Sequence, residues 1–135
     1  NYLGISNGAI FLKGISQAFI ESLGEVETRI FDWYLYSRLL LNKKKGKKIN
    51  GCYTYYRIYE ANLAGKCEWS RQAVKKEIEI KKEHYRLLTP YANYYKKLLQ
   101  VYSSTCTEQF TEQFADQEMT GYWWSLTNIQ LEEER

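Results

Sequence analysis

Five lysines stand in the six residues Lys43–Lys48, broken only by Gly46. Like charges at that density repel one another and are too costly to bury, so this run must be an exposed loop. A loop of this composition is usually a solvated surface, and it is also well suited to touching phosphate. The run opens a strongly basic stretch. Residues 43–99 carry 15 basic and 5 acidic groups, whereas residues 1–42 carry 3 and 4, and residues 100–135 carry 1 and 7. The segment balances of −1, +10 and −6 sum to the modest net charge of +3, which conceals a basic middle and an acidic tail. Such asymmetry points to an anionic partner for the middle segment.

At 135 residues the chain has the size of one ordinary domain, and 44% apolar with 16% aromatic residues is enough to build a core. No apolar run approaches the ~20 residues that span a bilayer, so no membrane partner is expected. Cys52, Cys67 and Cys106 are odd in number and widely spaced, without a Cys-x-x-Cys pair. That argues for a reducing, cytoplasmic compartment and against a disulfide framework. His84 is the single histidine, so one chain cannot build a multi-histidine metal site. It lies among Lys81, Lys82 and Glu83, where a solvated side chain is the expectation. There is no Gly-rich phosphate loop and no close carboxylate cluster, so neither an enzyme nor a cofactor or metal is expected.

Hydrophobic spacing sets out the elements. Ala9–Lys13 reads as a brief strand. Ser22 and Glu25 have capping-box spacing, and Val26, Ile30, Trp33, Tyr34, Leu40 and Leu41 then form a stripe that predicts a helix over 25–41. Thr54 can cap a second helix carrying Tyr55, Ile58, Tyr59 and Leu63. Ser70 can cap a third, with Ala73, Val74 and Ile78 inward and Arg71, Gln72, Lys75, Lys76 and Glu79 outward. Residues 85–102 fit two readings. Thr89-Pro90 could start a helix with Tyr91, Tyr94, Tyr95, Leu98 and Tyr102 at helical spacing, or 85–88 and 95–102 could pair as a β-hairpin. In the tail, Thr107-Glu-Gln-Phe110 repeats as Thr111-Glu-Gln-Phe114, which puts both Phe rings on one helical face.

The segment Asn62-Leu-Ala-Gly-Lys-Cys-Glu-Trp-Ser-Arg-Gln-Ala-Val-Lys-Lys-Glu-Ile78 resembles the helix-turn-helix signature of bacterial and phage DNA-binding proteins, typified by Leu-Ala-x-x-x-Gly-x-Ser-Arg-x-x-Val. In that resemblance Ala64 is the small residue at the helix crossing and Val74 the plug between the helices. Ser70 caps the recognition helix, and Arg71 and Gln72 leave its first turn, the part that enters the major groove. Glu68 stands where Gly is usual. Glu77 stands where a small apolar residue is common, so the resemblance requires its side chain at the surface. The order of Ala9–Lys13, Phe31–Leu41, Thr54–Leu63 and Ser70–Ile80 is similar to the winged-helix domains of plasmid and phage replication initiators and regulators. There a hairpin wing follows the recognition helix, which would place Lys96 and Lys97 on phosphate.

These readings give a mainly α chain: a winged helix-turn-helix domain over residues 1–102 with a small β-hairpin wing, and an acidic, aromatic helical tail over 103–135. An all-α bundle is the alternative. The expected function is sequence-specific binding of double-stranded DNA, as a replication initiator or transcriptional regulator. Ser70, Arg71, Gln72, Lys75 and Lys76 would sit at the groove. Lys43, Lys44, Lys45, Lys47, Lys48, Lys96 and Lys97 would sit on phosphates. Phe110, Phe114, Tyr122, Trp123 and Trp124 would form a homodimer or protein contact. The competing readings are a helical assembly subunit and a protein-binding inhibitor working through that tail.

Overall fold

The structure, a computed structural model, describes residues 9–47, 49–51, 55, 70–105, 108 and 112. The chain divides into two compact units, Asn1–Thr54 and Tyr55–Arg135.

In the first unit, α1 (Gln17–Gly24) starts at Ser16, whose hydroxyl accepts the Phe19 amide at 3.2 Å, and α2 (Phe31–Leu41) follows. Of the helix expected over 25–41 only Phe31–Leu41 forms; residues 25–30 are not helical, and α1, not foreseen from the sequence, lies before them. Ser22 does not cap forwards. It lies inside α1 and donates back to the Phe19 carbonyl at 2.7 Å, a local bond that competes with capping. The start of α2 is set instead by Thr28, which accepts the Ile30 amide at 3.3 Å, and by Asp32 beside the positive end of the helix. Ile30, Trp33, Tyr34, Ser37 and Arg38 repeat at three- and four-residue spacing, and all are buried. Arg38 takes a core position. Its guanidinium stacks 5.4 Å from the Phe19 ring centre and 5.5 Å from that of Tyr34, and it donates to the Tyr34 and Ser22 hydroxyls. Cation–π contact and hydrogen bonds together make such burial tolerable.

α2 ends in a Schellman motif. The Lys44 amide bonds the Leu39 carbonyl at 3.0 Å and the Lys43 amide bonds that of Leu40 at 2.9 Å. Lys43 holds the left-handed position usually given to glycine, at φ 58°. Ala9–Lys13 is not a strand. Residues 9–12 are irregular and lead into a turn closed by the Ile15 amide on the Leu12 carbonyl at 3.0 Å. Gly14, at φ 80°, supplies the positive φ of that turn.

In the second unit, α3 (Arg71–Leu88) begins at Ser70, which accepts the Ala73 amide at 3.0 Å as its spacing predicted. The helix runs on past Ile80 to Leu88. Thr89 closes it, a turn carries Pro90 and Tyr91, and α4 (Asn93–Ser104) packs back against it. The β-hairpin wing is thus contradicted: among the described residues there is no strand, and 85–102 is the end of one helix, a turn and most of the next. Tyr85 and Leu88 on α3, with Leu98 and Tyr102 on α4, are buried at helical spacing. The Tyr85 ring meets those of Tyr95 and Tyr102 at 6.0 and 5.4 Å. A hairpin would have put alternate residues of each strand on opposite faces and broken up this cluster. Of the helix expected over 54–63 only Tyr55 is described, and it is fully exposed and not helical rather than on an inward face; of the tail expected over 103–135 only 103–105, 108 and 112 are described.

Candidate nucleic-acid interface

α3 is divided lengthwise. Val74, Glu77, Ile78, Ile80, Lys81, His84, Tyr85 and Leu88 are buried, while Arg71, Gln72, Lys75, Lys76, Glu79 and Arg86 are exposed and Lys82 and Glu83 half-buried. The outer face thus carries Arg71, Lys75, Lys76, Lys82 and Arg86 against Glu79 and Glu83, a balance of +3. Its first two turns hold only Arg71, Gln72, Lys75 and Lys76 as exposed side chains, beside the exposed Ser70. Lys82 and Arg86, which prolong the basic face, were missed in the sequence. Counting outward positions beyond Ile80 would have found them.

The buried face is unusual in being charged. Glu77 and Lys81, each with about 1% of its side chain exposed, pair at 2.6 Å across one helical turn. The Tyr102 hydroxyl lies 3.5 Å from the Lys81 ammonium, which sits 5.5 Å from the Tyr102 ring centre. Burial pushes the Lys81 pKa below the ordinary lysine value, and the Glu77 charge opposes that shift. Glu77 is therefore not at the surface, as the helix-turn-helix resemblance required. The carboxylate is accommodated by pairing it with Lys81 rather than by exposing it.

His84 is likewise inside, with 1% exposure, and not solvated. It faces the rings of Tyr85 and Tyr95 at 5.8 and 6.3 Å, and burial lowers its pKa to about 3. The imidazole is consequently neutral at physiological pH. Among the described residues no three His, Cys, Asp or Glu side chains converge as a metal site, and no helix is long and apolar enough to cross a membrane.

No family model, curated protein or solved structure matches the chain.

The other expected phosphate contacts are spread over both units. Lys96 and Lys97 are exposed, but on α4 rather than on a wing. Lys43, Lys44, Lys45 and Lys47 are exposed in the first unit, after α2, and Lys48 lies outside the described residues. Lys44 is not simply solvated: its ammonium donates to the Gly14 carbonyl at 2.6 Å, fastening the lysine loop to the turn before α1. Phe110, Phe114, Tyr122, Trp123 and Trp124 also lie outside the described residues.

Proposed function

We propose that the protein binds double-stranded DNA without catalysis, as an initiator or regulator does, with the first turns of α3 in the major groove. The observation that carries this reading is the pairing of two features on one helix. Arg71, Gln72, Lys75 and Lys76 are exposed on its first two turns, and its opposite face is buried from Val74 to Leu88. A helix anchored in this way presents its side chains without having to order itself on binding, which lowers the entropic cost of recognition. Arg71 can pair in bidentate fashion with guanine and Gln72 with adenine. Lys75 and Lys76 neutralise flanking phosphates, and the amides of the first turn beside Ser70 favour one more. The wing plays no part in this reading.

Fluorescence anisotropy of a random-sequence duplex, titrated at several salt concentrations, tests it. Wild-type protein binds with a dissociation constant of order micromolar that weakens steeply with salt. The Arg71→Ala/Lys75→Ala/Lys76→Ala variant changes only exposed positions, so it keeps its helical circular dichroism and loses the binding. Equal binding by the variant, or none by wild type at low salt, refutes the assignment.

A further inference from the structure

The first unit exposes a feature that α3 does not account for. Phe11 and Leu12 are 86% and 67% exposed, although the same unit buries Leu23, Ile30, Trp33, Tyr34 and Leu39. Single exposed apolar residues are ordinary, but two adjacent bulky ones on a braced turn are not. The bracing is specific. Leu12 accepts the Ile15 amide, Gly14 is left-handed, and the Gly14 carbonyl is gripped by the Lys44 ammonium at 2.6 Å. That contact ties the turn, which itself contains Lys13, to the loop that carries Lys43, Lys45 and Lys47. No acidic residue occurs in 9–20 or 42–51. Lys43, in the same loop, holds a left-handed backbone conformation at φ 58°.

We propose that Phe11 and Leu12 form an apolar wedge that enters the base stack of duplex DNA, while the surrounding lysines hold the phosphates on either side. The inference rests on the DNA reading above and adds a second contact, made by the other unit, that deforms the duplex. Charge complementarity selects a polyanion, and the Phe–Leu tip selects one with an apolar interior that can be opened. Stacked bases flanked by phosphate meet both conditions, and side chains of these types unstack base steps and kink DNA toward the major groove. A contact with phosphates alone would leave Phe11 and Leu12 without a role.

The test is end-to-end fluorescence transfer on a doubly labelled duplex, saturated with the full chain. Wild type shortens the distance between the ends. Phe11→Ser/Leu12→Ser, which alters only exposed side chains, abolishes that change and weakens binding only a few-fold. Gly14→Ala leaves both apolar side chains in place but strains the turn, and it reduces the change. A double variant that bends DNA like wild type, or a wild type that binds through α3 without bending it, overturns the wedge and leaves the DNA reading standing. A wild type that binds no DNA removes both. Phosphatidylserine vesicles bound by wild type, and not by the double variant, would then give the tip to a membrane surface instead.

Discussion

Removing the Glu77 carboxylate would take the 2.6 Å ion-pair partner from the Lys81 ammonium in a site with 1% exposure. Glu77→Ala should therefore cost about 3–5 kcal/mol of unfolding free energy. Replacing both residues together, as in Glu77→Leu/Lys81→Met, should be near neutral or stabilising, since neither charge then needs burying. Urea denaturation of the three proteins measures the contrast. His84 adds a pH dependence of known sign. It is held neutral in the fold, with a pKa of about 3, and regains an ordinary value near 6.5 when unfolded. The unfolded chain thus binds the extra proton, and stability falls as pH drops from about 6.5 towards about 3. Between pH 7.5 and 5 the loss assigned to this residue is roughly 2 kcal/mol, and His84→Leu should flatten the curve over that window. The two were misread for different reasons: Glu77 was placed at the surface by the helix-turn-helix resemblance, and His84 by its charged neighbours. The charges of Lys81, Lys82 and Glu83 suggested a wet surface, yet positions 74, 77, 78, 81, 84, 85 and 88 form one continuous stripe at helical spacing. Periodicity was the better guide, because pairing let the charges follow the stripe inside.

For the helices, the legible parts were those set by short-range chemistry. The Ser70 cap is present as the spacing indicated, and so are the inward Val74 and Ile78 and the outward Arg71, Gln72, Lys75, Lys76 and Glu79, whereas Ala73 is half-buried and Glu77 buried. Ser70→Ala should cost about 1 kcal/mol of thermal or urea stability by freeing a first-turn amide. Two points depended on competition that the sequence does not display. Ser22 had the spacing of a cap but lies inside α1 and bonds backwards to Phe19, and the helix expected from 25 begins only at Phe31. Residues 85–102 fitted both helix and hairpin, and borrowing the order of a winged helix tipped the choice the wrong way. The stripe of Tyr95, Leu98 and Tyr102 pointed to the helix that forms. The end of α2 offers the reverse kind of test. Lys43→Gly should stabilise the protein by roughly 1 kcal/mol by relieving the left-handed lysine at φ 58°, read as a rise in melting temperature.

At the level of the whole chain, the basic middle segment proves to be shared between two units, with Lys43–Lys47 in one and α3 and α4 in the other. Charge counting locates the segment but cannot tell a loop after α2 from a helix face, because both satisfy the same solvation requirement. DNA binding by the full chain should separate their contributions through salt. Each phosphate contact contributes about 0.9 to the slope of log affinity against log salt. Loss of Arg71, Lys75 and Lys76 should thus lower the slope by about 3 if all three contact phosphate, and by about 2 if Arg71 lies on a base edge. Neutralising Lys43, Lys45 and Lys47 should lower it by a separate amount, and additivity of the two reductions would show that both units touch one duplex.

The Glu77–Lys81 pair also limits how this sequence can drift. Changing either residue alone passes through a protein with a lone buried charge, and a loss of about 3–5 kcal/mol is a large share of a small domain's stability. The two codons are locked to each other, while Arg71, Lys75 and Lys76, exposed on the outer face of the same helix, are under no such constraint from the core. In any lineage that keeps this helix, positions 77 and 81 should change together or not at all.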